Sequence, residues 1–470
     1  MPQIRHVYFS PGSFWYLDLP KLVQENLQTL SWLTLPQRLQ TEPDFKGIPN
    51  LKELGIYLIM SYDDADKMAS LCEETWDLLP PISMEGLLNL HQLENLKFRC
   101  NVKKCDSKLL KAFPPNLKKL TLTGTYFSWE DMAIINTLPN LEVLKLRYDA
   151  FCGSEWKATG NGFCKLKYLL VTSDSLKHWS VDVDHFPILE RIFLVDCHCL
   201  MEFPTGFGEV NTLQLIELKN CPSLLVTSLK IFKKSGKILE TINLFSNFIL
   251  PKDFKGIPNV KKLGIRLMGY AGYYKMPSLS KETWDLLPPI SMEGLLNLNQ
   301  LENLKFEKDR WSPKCDSKVL KAFPPNLKKL TLMRTHFSWE DMAIISTLPN
   351  LEVLKLREDA FCGPEWKATG NGFCKLKYLE VNRLLSLKHW SVDADHFPIL
   401  ECIFLYLCRD LVEFPTGFSE INTLQLIDLK SCRSSLVTSA KKIQEERRDL
   451  GDDKLVLHEI YTYCLKGNIF

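Results

Sequence analysis

The residues with the most overt chemical promise are Cys197-His198-Cys199, three potential metal ligands in a row. A structural zinc site closes four ligands around the ion, usually from pairs about two to four residues apart. No second pair lies near this run, and its counterpart in an internal copy described below reads Cys408-Arg409-Asp410. No metal is therefore expected. The nine His residues and the carboxylates form no nucleophile–base–orienter set, so no catalytic residue is assigned and no enzyme is expected. No G-x-x-x-x-G-K-S/T string occurs, so the backbone cradle and Lys that hold nucleotide phosphates are missing, and no cofactor is expected. What does recur is Lys97, Lys145, Lys305 and Lys355, each at the middle of an L-x-L triplet. A solvated strand face is the preferred reading of these lysines, with binding of an acidic partner as the alternative.

Composition narrows the remaining classes. Of 470 residues, 45% are apolar and 24% charged, enough to build a large core. Lys plus Arg is 58 against 56 Asp plus Glu, so the basic excess of a general nucleic-acid binder is lacking. No apolar run approaches the roughly 18 residues that would mark an integral membrane segment. The opening residues lack the pattern of a secretory signal, and the 15 Cys are scattered without a disulfide framework. A reducing, cytoplasmic compartment is the expectation, with peripheral attachment to a membrane left open.

The elements that must position any site come from the string L-x-x-L-x-L. It occurs as Leu27-Leu30-Trp32, Leu51-Leu54-Ile56, Leu93-Leu96-Phe98, Leu117-Leu120-Leu122 and Leu141-Leu144-Leu146, and onward to Leu424-Ile427-Leu429. Most starts lie 23 to 26 residues apart, inside the window of leucine-rich repeats. Each L-x-L predicts a short strand with its apolar residues inward, and stacked strands share one core. The predicted fold is an α/β solenoid: a leucine-rich-repeat horseshoe with a parallel concave sheet and an irregular, short-helical convex side. Ser128-Trp129-Glu130-Asp131 predicts a capping box opening a short helix that runs to about Thr137, before Pro139, and Ser338 to Asp341 repeats it. Two long intervals, Leu51 to Leu93 and Val260 to Leu301, predict enlarged convex segments, the first preceded by a loop holding Ser61 to Asp66.

A larger duplication lies over the small repeat. Phe45-Lys46-Gly47-Ile48-Pro49-Asn50 returns at Phe254, Ala112-Phe113-Pro114-Pro115-Asn116 at Ala322, and Phe186-Pro187-Ile188-Leu189 at Phe397, with an offset of 209 to 211. The expected organisation is one continuous solenoid: first repeats at 1–44, copy one at 45–229, a junction repeat at 230–253, copy two at 254–438, and a helical cap and tail at 439–470. The helix of that cap is expected from Ser439 to Leu450, stopped by Gly451.

These strings resemble the C-terminal leucine-rich-repeat region of plant coiled-coil, nucleotide-binding immune receptors, specifically the late blight resistance protein family. The resemblance rests on Met1-Pro2-Gln3-Ile4-Arg5-His6-Val7, Asn26-Leu27-Gln28-Thr29-Leu30-Ser31, Phe127-Ser128-Trp129-Glu130-Asp131-Met132, Leu138 to Leu146, and Phe203-Pro204. It implies a protein-recognition role in disease resistance and the hypersensitive response. The implied partners are proteins: a pathogen effector, a guarded host protein, or the receptor's own nucleotide-binding module, which would hold ADP or ATP and has no counterpart here. A stand-alone adaptor recruiting substrates to a ubiquitin ligase is the alternative reading.

The internal copy supplies the candidate site. Phe127 to Asn140 differs from Phe337 to Asn350 at one position, Asn136 against Ser346. The strand faces diverge more. Met333, Arg334, Glu358, Glu380, Tyr406 and Leu407 replace Thr123, Gly124, Tyr148, Leu170, Val195 and Asp196. These six positions, with Lys145 and Lys355, are the expected partner-binding residues on the concave surface, and reverting each of the six is expected to cost on the order of 0.5 kcal/mol or less.

Overall fold

A computed structural model describes residues 4–10, 24–36, 43, 45–59, 84–101, 105–160, 162–234, 239–246, 260–267, 292–309, 315–368 and 372–460. The loop expected at Ser61 to Asp66 and most of both enlarged convex segments lie outside these residues. The chain forms two compact units, Met1–Lys237 and Ile238–Phe470.

In the first unit, strands His6–Tyr8, Thr29–Pro36, Glu53–Ile59, Asn95–Cys100, Lys119–Thr123, Val143–Arg147, Tyr168–Val171, Arg191–Val195 and Leu215–Lys219 pair in parallel in chain order. The second unit repeats the arrangement from Leu239–Ser246 through Val456–Ile460. The register aligns like with like: Leu120 faces Leu144 and Leu122 faces Leu146, while Leu330 faces Leu354 and Leu332 faces Leu356. All eight of these leucines are essentially inaccessible to solvent. Each contributes about 1.5–3 kcal/mol on burial, but only because the neighbouring repeat covers it. Both units are therefore parallel leucine-rich-repeat sheets, as the spacing predicts.

The strand pattern slips once. Leu27-Leu30-Trp32 predicts Trp32 as the inward apolar residue, but pairing with the next strand shifts between Leu30 and Leu33. Leu33 takes the buried position, at 1% exposure, and Trp32 adopts φ +57°. One extra residue in the strand is a β-bulge, which turns the following side chains onto the other face. Gly55 on the neighbouring strand makes room for it: a Cβ there would come 2.7 Å from the Trp32 backbone nitrogen.

The convex side is built from short 3-10 turns and aromatic stacking. Ser128 opens the turn Trp129–Asp131 with the predicted capping box, and its backbone N–H donates to Asp131 Oδ2 at 3.1 Å. The following helix is a single turn, Met132–Ile135, and ends short of Thr137. Trp129, Trp156 and Trp179 then stack face to face from successive repeats, with centroids 4.7 and 4.5 Å apart. Trp339, Trp366 and Trp390 stack at the same spacings in the second unit. Cys at the strand exits behaves as a small buried side chain. Cys197, Cys221 and Cys408 are buried, each with its thiol directed at a carbonyl of the preceding strand, Val171, Leu194 and Val381 respectively.

The terminal helix begins five residues before the expected Ser439, at Ser434, and runs to Asp449. It packs Leu436, Val437, Ala440 and Ile443 inward. Arg447 is buried with them, where its guanidinium donates to the carbonyls of Ile421 and Leu424 at 3.2 Å and pairs with Asp452. A further strand, Val456–Ile460, then pairs with Leu426–Lys430.

The bulge yields a stability test. Gly55→Ala forces a clash with backbone and is expected to lower stability by about 1–3 kcal/mol. Gly264→Ala has its close approach to a side-chain atom, Asn243 Oδ1, rather than to backbone and is expected to cost less. Urea unfolding of both variants checks this, and equal losses would contradict it.

Candidate protein-binding face

Alternation along each strand sends every second residue to the core and the others to the concave side. In the second unit the side chains on that side form ion-pair clusters around three buried carboxylates, Glu380, Glu307 and Asp428. Glu380 lies opposite Lys355 in the sheet. Its carboxylate accepts from Lys355 Nζ at 3.0 Å, from Arg357 Nε at 2.6 Å, from the Arg357 terminal nitrogen at 3.1 Å and from Tyr378 Oη at 3.4 Å. Its side chain is only 3% exposed. Glu380 was expected to be a solvent-facing position and is not, because neighbouring long side chains fold over it. Burial pushes its carboxyl upward, but hydrogen bonds and charge from Arg357 and Lys355 outweigh this and hold it below the ordinary value. Arg357 is raised by the same hydrogen bonds.

A second buried carboxylate, Glu307, is met by Lys305 at 3.1 Å, by Arg266 at 3.4 Å and by Arg334. Arg334 also reaches Glu358 at 3.3 Å. Asp428 is met by Lys430 at 3.3 Å, and Tyr406 Oη donates to it at 3.4 Å. Lys355 lies over the Tyr378 ring at 4.7 Å, and Tyr378 stacks on Phe404 at 4.5 Å.

Three expected site residues have a constraint invisible in their identities. Arg334, Glu358 and Leu407 sit just past the strand ends with φ of +57°, +45° and +54°. Gly124, Tyr148 and Asp196, their counterparts, have φ of +61°, +49° and +52°. The turn thus demands a left-handed residue at this step in both units, and from it Arg334 reaches back to Glu307 on the neighbouring strand. Met333 remains on the concave side, half-buried, beside Arg334.

The first unit has the same platform with other charges. Lys145 lies opposite Leu170 in the same register as Lys355 opposite Glu380. Tyr168 stacks on Phe193 at 4.6 Å, and Lys145 lies over the Tyr168 ring at 5.2 Å. Leu170 is buried where the other unit has its carboxylate. Among the described residues, Lys145 and Arg147 have no ion-pair partner, and Arg147 is exposed. The Lys145 ammonium is held below its ordinary value by burial and by Arg147, Lys119 and Lys97. The expected set therefore splits: Lys355 and Glu380 are together, Arg334 and Glu358 are together, and Lys145 is alone on its unit. Glu307, Arg357, Asp428 and Lys430 were not among the expected residues. A sequence signal for Glu307 existed, since its counterpart is Arg99, a charge reversal between copies.

Around Cys197-His198-Cys199, Cys197 is buried, while exposed His198 meets Asp174 at 2.6 Å. No three His, Cys, Asp or Glu converge for a metal among the described residues, and none of the described helices is long and apolar enough to cross a membrane.

No protein-family model matches the chain. In sequence it is similar to late blight resistance protein homologs of Solanum demissum. It is 39% identical to homolog R1B-23 over 146 residues, 30% of this chain and 12% of that protein. It is 39% identical to homolog R1B-13 over 174 residues, 35% of this chain and 14% of that protein. The matches span a small fraction of those relatives. Among solved structures it is similar to a leucine-rich-repeat protein of Leptospira interrogans, at 15% identity over 92% of this chain and 90% of that one, with a TM-score of 0.36. It is also similar to the TLR13–ssRNA13 complex, at 15% identity over 97% of this chain and 73% of that one, with a TM-score of 0.44.

Glu380 gives the site a pH signature. Reverting Glu380 to the copy-one leucine is therefore costlier than the roughly 0.5 kcal/mol expected of a surface position: Glu380→Leu removes charge-assisted hydrogen bonds from a buried carboxylate and is expected to cost roughly 1–3 kcal/mol at neutral pH. Because the folded-state pKa is depressed, that stabilisation is present above the unfolded carboxyl value, about 4.3, and is lost as pH falls through the folded value. The difference between wild type and variant in urea should therefore shrink in acid; a pH-independent difference would contradict the assignment.

Proposed function

We propose that this chain is the protein-recognition module of a plant disease-resistance receptor. Its concave faces bind a pathogen effector or a host protein, or hold a nucleotide-binding module in restraint. One observation carries the reading: between two units of the same fold, the strand core and the convex segment Phe127 to Asn140 are nearly unchanged while several concave positions change in charge or size among shared neighbours such as Lys145 and Lys355. The segment Phe127 to Asn140 keeps all but one residue, whereas Leu170 against Glu380 and Arg99 against Glu307 alter the charge of the sheet face. A face altered on a preserved scaffold is what partner discrimination requires, since specificity is a difference in contacts made by one rigid support. The similarity to late blight resistance protein homologs supplies the disease-resistance part of the reading. The chemistry proposed is binding alone, carried out in the cytoplasm.

Site-directed photo-crosslinking in leaf cells tests it. A benzoylphenylalanine placed at Thr123 or Lys329, on the concave strands, should yield discrete protein adducts. The same group at Glu130 or Glu340, exposed on the convex turns, should not. Adducts with a receptor nucleotide-binding module or a pathogen protein support the receptor reading, and ubiquitin-ligase scaffold subunits support the adaptor instead. Equal adducts from both faces would overturn the concave assignment.

A further inference from the structure

We propose that the concave face of the first unit binds an acidic peptide segment of its protein partner, the partner's carboxylate seating on Lys145 and Arg147. This rests on the recognition reading above and names the partner's chemistry. The second unit carries the same seat already occupied by its own carboxylate. There Glu380 bridges Lys355 and Arg357 at 3.0 and 2.6 Å, above a Tyr378–Phe404 stack. The first unit keeps the two cations, the sheet register and the Tyr168–Phe193 stack, at nearly the same centroid distance, 4.6 against 4.5 Å. It replaces only the carboxylate, with Leu170.

The consequence is electrostatic. Lys145 is partly desolvated and crowded by Arg147, Lys119 and Lys97, and no carboxylate of the described residues answers it. Lys97 is answered by Glu53 at 2.6 Å, but the adjacent Lys145 and Arg147 repel each other without a carboxylate between them, so an incoming anion gains both its own attraction and the relief of that repulsion. The floor beneath is Leu170 and stacked aromatic rings, which favours an acidic segment with apolar residues interleaved. A phosphate chain would meet the cations but would leave that floor uncovered. Peptide is therefore the occupant, and the template for it is a carboxylate on this chain.

The test uses the full chain and fluorescence anisotropy with three labelled probes: a short peptide alternating Glu and Leu, its Gln-for-Glu counterpart, and an oligouridylate of equal length. The Glu peptide should bind one to one, with the other two about tenfold weaker or worse, since two charge-assisted hydrogen bonds are lost or misplaced. Leu170→Glu should occlude the seat, and Lys145→Ala with Arg147→Ala should empty it. Each should weaken the Glu peptide about tenfold while near-native melting reports that the fold is kept. The pair of variants guards against misfolding of either. Glu380→Leu should open a second seat and raise the stoichiometry to two. Lys157→Ala, which removes a convex lysine paired with Glu155, should change nothing. Wild-type affinity in folded Leu170→Glu, equal weakening by Lys157→Ala, or equal binding of the oligouridylate would each overturn the proposal. If the peptide fails but concave crosslinks persist, the acidic chemistry falls and the recognition reading stands. If the concave crosslinks also vanish, both fall.

Discussion

Everything in these units depends on one constraint: a five-residue strand with an apolar side cannot bury that side alone. Parallel neighbours must cover it, so the core residues of each strand are held by the strands on either side. Leu120 is buried because Leu96 and Leu144 flank it in register. The period-two alternation that supplies this core leaves every intervening residue on the other side of the sheet. Most of those intervening residues carry little of the folding energy, the buried Glu380 being an exception. They can therefore change in type and charge while the scaffold stays the same.

The duplication makes that freedom visible. One inherited block has produced two units with equal registers and equal convex tryptophan stacks but opposite solutions for the same cations. In the second unit, carboxylates at Glu307, Glu380 and Asp428 close on neighbouring Arg and Lys. In the first, the counterparts are Arg99, Leu170 and Glu217, so two of the three closing carboxylates are missing. Surface ion pairs contribute little on average, but Glu380 is buried and multiply hydrogen-bonded, which makes its network rigid as well as neutral. Lys145 and Arg147 of the first unit have no such restraint among the described residues and are poised for an external anion.

Sequence periodicity was enough to place the repeat strands and the capping boxes, because each depends on residues within one repeat, but not the terminal strand Val456–Ile460. What it could not reveal depends on contacts between repeats. The bulge at Trp32 moves Leu33 into the core because of how the strand meets Gly55, and spacing alone reads through it. The burial of Glu380 requires Lys355 and Arg357 from the preceding strand. The tryptophan stacks join residues more than twenty positions apart. The left-handed step after several strands was hidden for the same reason: Arg, Glu, Leu, Tyr, Asp and Gly all occupy it, so no residue type signals it. Of the candidate site, Lys145 and Lys355 were legible as a matched pair, but not that one is neutralised and the other exposed to an incoming charge.

That contrast is open to direct measurement on the intact protein. Lysine acetylation kinetics at neutral pH, read by mass spectrometry, compare Lys145 and Lys355 in one sample. Lys145 lacks a carboxylate partner among the described residues and its ammonium is depressed by burial and by its neighbours, so it should acetylate several-fold faster than Lys355, which is held by Glu380. Equal rates, or a faster Lys355, would show that the two faces are electrostatically alike and would contradict the account.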